Sequence, residues 1–282
     1  MKPENTKSPQ LVASYWTLAG AYPGRGPAFS RFAFVDRVAA ASEAGFCGLG
    51  LLDTDLEQIQ RTHSFRDVKK VLDDHGLTHV ELEFLVDWFV DGEPRRLADQ
   101  HKRFLFDAAE ILKPSLIKVG DFSQSVCPMP RLIDSFAQLC AEAAVHGTRI
   151  AFEPMGASLV HNLKDALTLV GGAAAPNGGL AVDIWHMVNL KIPFDQLSKI
   201  PLEFLFCVEL NDALLDPTSD SNPRVDRRFC GEGDLDNPAF VEAIRKTGFD
   251  SPWGVEIFSD ELAALPLQEA AVRSFRSTMG EF

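Results

Sequence analysis

Four short phrases in the second half of the chain each place a carboxylate after two or three apolar residues. They are Ile150-Ala151-Phe152-Glu153-Pro154, Ala181-Val182-Asp183-Ile184, Cys207-Val208-Glu209-Leu210 and Gly254-Val255-Glu256-Ile257. Apolar runs of this kind read as strands buried on both faces, where a charge is costly unless it is paired or binds a cation. If such strands run parallel around one barrel, their C-terminal ends meet at a common mouth. Acids gathered there repel one another, and a divalent cation with oxygen ligands relieves the repulsion. Glu153, Asp183, Glu209 and Glu256 are therefore a candidate metal centre. Three Glu and one Asp without Cys favour Mn2+ or Mg2+, with Zn2+ or Co2+ as alternatives. Any one of these acids alone is as readily a helix cap or an ion-pair partner; the metal reading rests on all four.

Other groups stand where they could join the site. His186 follows Asp183 by three residues, at the passage from strand to loop, as a proton carrier, a substrate contact or a solvent-facing ring. Glu81 and Glu83 alternate with Val80, Leu82 and Phe84, which makes one strand face acidic; Glu83, nearer the C-terminal end, is the candidate site residue. Lys118, after Leu116-Ile117, either neutralises an acid inside the barrel or touches a substrate oxygen. Trp16, Trp88 and Trp185 lie near strand ends as an apolar wall or as core. Arg227 precedes the turn-forming Gly231-Glu232-Gly233 and could grip a substrate oxygen or anchor the loop.

The elements that must position these residues alternate along the whole chain. Strand-like segments are Leu11–Trp16, Phe46–Leu52, Thr78–Leu85, Ser115–Gly120, Arg149–Pro154, Gly179–Trp185, Phe204–Leu210 and Trp253–Phe258, eight in all. Amphipathic stretches lie between them: Phe34–Ala44, Phe65–His75, Arg96–Leu112, Leu132–His146, Leu163–Gly171 and Ala239–Thr247. Gly45, Gly76, Gly147 and Gly248 follow helices as terminators. Asp212 to Pro238 reads as the longest irregular stretch, a candidate lid or surface loop. The pattern predicts an α/β fold, a single-domain (β/α)8 TIM barrel over residues 1–282, with residues 1–9 as a disordered tail. The rival open sheet lacks a dinucleotide-binding glycine turn after its first strand.

Composition narrows the function further. A net charge of −13 and Lys/Arg clusters no larger than pairs such as Lys69-Lys70 argue against a nucleic-acid partner. No apolar run is long enough to span a bilayer, and the polar Met1 to Gln10 has no signal-peptide core, so no membrane partner and a cytoplasmic location are expected. Five widely spaced cysteines without a Cys-x-x-Cys support neither a disulfide framework nor a zinc finger; Cys47 and Cys207 read as core thiols.

Taken in order, Phe152-Glu153-Pro154, Val182-Asp183-Ile184-Trp185-His186, Val208-Glu209-Leu210-Asn211-Asp212, Arg227 through Gly231-Glu232-Gly233 and Gly254-Val255-Glu256-Ile257 resemble the sugar phosphate isomerase/epimerase family with the xylose isomerase-like barrel. The resemblance implies that Glu153, Asp183 and Glu256 ligate a divalent metal, and that Glu153 and Glu256 flank the reacting carbon and exchange its proton. His186 and Arg227 would hold substrate oxygens. That family usually has His, and sometimes Gln, at the position matching Glu209; Glu adds a negative charge, which fits a harder metal. The implied activity is isomerisation or epimerisation of a sugar or polyol-derived ketone by proton abstraction next to the carbonyl, through an enediolate. Dehydration or C-glycoside cleavage is the family alternative. The partner is a small sugar-like molecule, and a homo-oligomer is compatible with this kind of barrel. Two other classes compete: a metal-dependent endonuclease, disfavoured by charge and by the few His at strand ends, and a sugar-binding barrel without turnover.

Overall fold

The computed structural model describes residues 8–24, 28–122, 126–216, 218 and 222–282. Among the described residues ten strands succeed one another: β1 (Leu11–Ala13), β2 (Gly48–Leu52), β3 (His79–Leu85), β4 (Leu116–Val119), β5 (Ile150–Phe152), β6 (Gly178–Asp183), β7 (Leu205–Leu210), β8 (Asp212–Asp216), β9 (Asn222–Arg228) and β10 (Trp253–Val255). Eight of them close a barrel in the order β1-β10-β7-β6-β5-β4-β3-β2. All eight barrel pairings are parallel, so the fold is a single-domain (β/α)8 barrel as the sequence predicts. Of the expected disordered tail, residues 1–7 lie outside the described residues, leaving only Ser8 and Pro9.

The expected helices form an outer layer, including Phe34–Ala44, Gly92–Leu112 and Met129–Val145. Their apolar faces pack on outward-facing strand residues such as Leu49, Ile117, Ile150 and Val208 to build the main core. A smaller cluster, Leu116, Ala151, Ala181, Phe206 and Cys207, lies apart from it. Gly45, Gly76, Gly147 and Gly248 all adopt positive φ beyond helix ends, the conformation that favours glycine. No helix among the described residues is long and apolar enough to cross a membrane.

Five features differ from the sequence reading. Several strands are shorter than expected: β5 stops at Phe152, β10 at Val255, and β1 at Ala13, where the helix Tyr15–Ala19 follows. The sixth strand ends at Asp183 rather than Trp185, because the Asp183 carboxylate accepts the N–H of Trp185 (2.6 Å) and His186 (3.3 Å) and starts the helix Ile184–Asn189. The stretch expected to be irregular contains the antiparallel hairpin β8–β9, with Ala213 opposite Arg227; Pro217, Ser219, Asp220 and Ser221 lie outside the described residues. Finally, the helix Leu267–Met279 was absent from the expected elements, and Cys47 is only half-buried where a core thiol was expected.

Candidate metal centre

Register explains why the acids meet. Asp183 lies opposite Glu209 across β6–β7, and Glu209 lies opposite Gly254 across β7–β10. Side chains alternate along a strand, so Ala181 and Cys207 share the inward row with Asp183 and Glu209, one level deeper. Glu256, two residues beyond Gly254, falls on the same side nearer the mouth. Glu153 follows the last residue of β5, where its N–H donates to Val119 O at 2.9 Å.

One oxygen from each of Glu153, Asp183, Glu209 and Glu256 lies within 4.8 Å of the other three, and all four residues are buried. Gly254 makes room for this: a Cβ there would come 2.7 Å from Glu209 Cγ and 3.2 Å from Ser14 Oγ. Two cations share the acids. Lys118 Nζ donates to Glu209 Oε1 at 2.6 Å and lies 3.1 Å from Glu83 and 3.7 Å from Glu81. Arg227, carried by β9, donates through Nη1 to Asp183 Oδ2 at 2.8 Å and to Glu256 Oε2 at 2.5 Å. Its guanidinium also stacks 4.0 Å from the Phe258 ring centroid. Ser14 Oγ donates to Glu209 Oε1, and Asn211 Nδ2 to both oxygens of Asp183.

The local fields follow from these contacts. Burial, reinforced by the neighbouring Glu256, pushes the Glu153 carboxyl well above the usual carboxylate range. Burial also pushes Glu209 well up, although Lys118 pulls in the opposite direction. Glu83 is raised to about 7, first by burial and then by Glu256 and Glu81, against the pull of Lys118. Glu81, one level deeper, is held below its ordinary value because its hydrogen bond from His79 and the Lys118 charge outweigh burial. Burial and the facing Arg227 depress His186 to about 3, which leaves a neutral imidazole at pH 7. Burial opposes the charges of Lys118 and Arg227, but the surrounding carboxylates outweigh it and hold both above their ordinary values.

The donor set fits a divalent ion. Glu153 Oε1 and Glu209 Oε2 are buried without a hydrogen-bond partner, a state that a bound cation would relieve. His186 Nε2 stands 3.4 Å from Glu153 Oε1, and its Nδ1 is likewise unpartnered. The candidate ligands are oxygens, and the imidazole of His186 stands beside them.

A cavity of about 600 Å3 opens onto this cluster. Among the residues singled out from sequence, Glu153, Glu256, Glu83, His186, Arg227 and Trp16 line it. Asp183 and Glu209 sit fully buried in its floor. Lys118 is absent from the lining and is enclosed by Glu209 and Glu83. Of the three tryptophans, Trp16 and Trp185 line the cavity, whereas Trp88 is packed in the core with its Nε1 donating to Gly120 O at 3.2 Å. Three participants carried no assignment at the sequence level. Ser14 meets Glu209 only because the barrel closes, and Asn211 anchors Asp183. Asp212 accepts the N–H groups of Gly231, Gly233 and Leu235, each at 3.0 Å. The sequence Asn211-Asp212 directly after the Glu209 strand is the one local signal for the last two.

Comparison with known proteins agrees with this architecture. The model of the xylose isomerase-like TIM barrel matches residues 38–278. A 3-dehydroshikimate dehydratase of Pseudomonas aeruginosa is 29% identical over 250 residues, covering 86% of this chain and 39% of that protein. The chain thus spans about two fifths of the length of the dehydratases it matches. An inosose isomerase of Bacillus subtilis is 25% identical over 149 residues, covering 52% of this chain and 53% of that protein. Among solved structures, the IOLI protein with a binding zinc atom has the same fold, with a TM-score of 0.84 at 18% identity over 96% of this chain and 97% of that one.

Proposed function

The chain belongs to the xylose isomerase-like TIM barrel family, and from that premise we propose that it is a divalent-metal-dependent isomerase or epimerase of a sugar or polyol-derived ketone. The observation that carries the reading is the convergence of Glu153, Asp183, Glu209 and Glu256 with two buried oxygens lacking partners. Mn2+ or Mg2+ suits four carboxylates best; the zinc of the IOLI structure makes Zn2+ the ion to compare. The ion, when bound, supplies a Lewis acid for the substrate's carbonyl oxygen.

The chain's own groups do the rest. Glu153 and Glu256 both reach the cavity, one to take the proton next to the carbonyl and the other to return it. Glu153 stands in the acid cluster and lines the cavity, within reach of that proton. His186, neutral and lining the cavity, offers an acceptor or donor to a substrate hydroxyl without adding charge. Arg227 orients Glu256 while its contact with Asp183 joins the two acids.

A second reading shares the first step: loss of a hydroxyl from the neighbouring carbon, giving dehydration. The 29% and 27% identities to two 3-dehydroshikimate dehydratases favour it. One experiment tests both. The Mn2+-loaded protein is incubated in D2O with ketoses, inososes and keto-glycosides, and products are read by NMR and mass. Deuterium uptake at the carbon next to the carbonyl, lost in Glu153→Gln and in Glu256→Gln, is expected. Full-rate exchange in both variants defeats the proton-transfer assignment. Retained composition indicates isomerisation or epimerisation; loss of water indicates the lyase.

A further inference from the structure

Beneath the acids, the barrel interior holds a second set of polar groups. His79, Glu81 and Glu83 alternate along β3 and share one inward row, which Lys118 of β4 joins. His79 opens β3, at the end of the barrel away from the mouth. Exposure falls along the set: the side chains of His79, Glu81, Lys118 and Glu209 are 14%, 2%, 1% and 0% exposed. Ser115 Oγ lies 3.1 Å from His79 Nδ1, and His79 Nε2 lies 3.1 Å from Glu81 Oε1. A carboxylate only accepts, so Nε2 carries a proton and donates it to Glu81.

One ammonium serves three carboxylates here, and unequally. Lys118 Nζ stands 2.6 Å from Glu209 Oε1, 3.1 Å from Glu83 Oε1 and 3.7 Å from Glu81 Oε2. Each acid has a further donor: Ser14 Oγ for Glu209, the Tyr15 N–H at 3.3 Å for Glu83, and His79 for Glu81. Cys207 Sγ, 3.8 Å from Glu81 Oε2, adds only a weak thiol donor. Glu81 thus leans least on Lys118 and most on His79. A buried carboxylate stripped of its donor is costly and draws the nearest opposite charge. For Glu81 that charge is Lys118, and each step of Nζ toward Glu81 leads deeper into the barrel, away from the floor of the metal site.

Resting on the metal site proposed above, we infer that His79 is a positioning residue for that site: by holding Glu81 it leaves the Lys118 ammonium to Glu209, and so sets, from the far end of the barrel, how strongly the acids attract a divalent cation. An ammonium held on Glu209 repels an incoming dication. Loss of His79 draws that ammonium deeper and strengthens the site, whereas simple damage to the barrel weakens it.

The test measures Mn2+ affinity by calorimetry at one pH, with thermal unfolding as the check on the fold. The proteins are the parent, His79→Leu, His79→Gln, Glu81→Gln and the double variant His79→Leu with Glu81→Gln. His79→Leu is expected to bind Mn2+ tighter by on the order of three- to tenfold, although it is less stable. His79→Gln, whose amide restores a donor, should bind as the parent does. Glu81→Gln alone gives Lys118 wholly to Glu209 and should bind more weakly than the parent. In the Glu81→Gln background His79→Leu should leave the affinity unchanged, because no carboxylate remains to draw Lys118 down. Unchanged or weaker binding by His79→Leu, tightening that persists in the Glu81→Gln background, or Glu81→Gln binding as tightly as the parent overturns the inference; the last decides it even where His79→Leu fails to fold. A parent that binds no Mn2+ removes the metal site itself and this role with it. A parent that binds Mn2+, with His79→Leu no tighter, leaves the site standing and removes only the role of His79.

Discussion

Lys118 Nζ and Glu209 Oε1 meet at 2.6 Å in the floor of the barrel, where each side chain is at most 1% exposed. Ser14 Oγ donates to the same oxygen, so Oε1 is occupied and Oε2 is the free, unpartnered atom. Glu209 thus presents a single oxygen to the acid cluster, and Lys118 offsets the charge it brings.

Removing that ammonium leaves a buried carboxylate unpaired. Lys118→Met is expected to destabilise the metal-free protein by about 3–5 kcal/mol in urea unfolding. Lys118→Met with Glu209→Gln should recover most of the loss, because charge and counter-charge leave together. Equal instability of the single and double variants would show that Lys118 acts by packing instead.

The raised Glu153, Glu209 and Glu83 give the metal-free protein a defined pH dependence. Unfolded glutamate titrates at about 4.3; in the fold these groups keep their protons to higher pH. Above that value the native state binds more protons than the unfolded one, so stability falls as pH rises, through about 7 for Glu83, with the raised Glu153 and Glu209 acting in the same direction. A cation must displace those protons. Calorimetry in buffers of different ionisation enthalpy should detect proton release on Mn2+ binding, with affinity rising from pH 6 to 8. Binding without proton release, or an unfolding free energy flat across this range, contradicts the raised values.

Gly254 tests the floor's geometry without altering charge. In Gly254→Ala the added methyl stands 2.7 Å from Glu209 Cγ and 3.1 Å from Oε1, so Glu209 must shift. A stability loss of ~1–3 kcal/mol and a marked weakening of Mn2+ binding are expected together. Unchanged metal affinity would mean that Glu209 is no ligand.

Much of this was legible from residue order, for physical reasons. Asp183 and Glu209 interrupt apolar runs, and parallel strands bring such interruptions to one level, so the acid cluster could be read from strand pattern alone. Trp16 and Trp185 were legible as wall residues near strand ends, but Phe122 and Met155 were not, since they come from connections after strands, whose paths periodicity does not encode. Ser14 and Glu209 are 195 residues apart and meet only through barrel closure. The hairpin strand Asn222–Arg228 reads NPRVDRR, too polar and Pro-bearing for an alternation signal. The helix Leu267–Met279 buries Ala270, Ala271, Ser274 and Thr278, small or polar residues that form no visible apolar stripe.

Asp212 links the hairpin to the site and carries the last prediction. Its Oδ2 accepts the N–H groups of Gly231 and Gly233, and its Oδ1 those of Leu235 (3.0 Å) and Ala213 (2.8 Å). The return of the chain after β9 is thereby tied to the start of β8, and β9 carries Arg227 to Asp183 and Glu256. Asp212→Ala leaves several buried N–H groups without an acceptor, at a cost of about 1–3 kcal/mol for each that water cannot reach. The loosening is local, so amide exchange should accelerate across 212–216 and 226–235 more than in β5 or β6. Metal affinity should change little, since none of the four acids contacts Asp212 in the hydrogen bonds above, while turnover falls as Arg227 loses its fixed position. Uniform acceleration of exchange over the barrel, or turnover at the parent rate, would show that Asp212 does not act on the site through the hairpin.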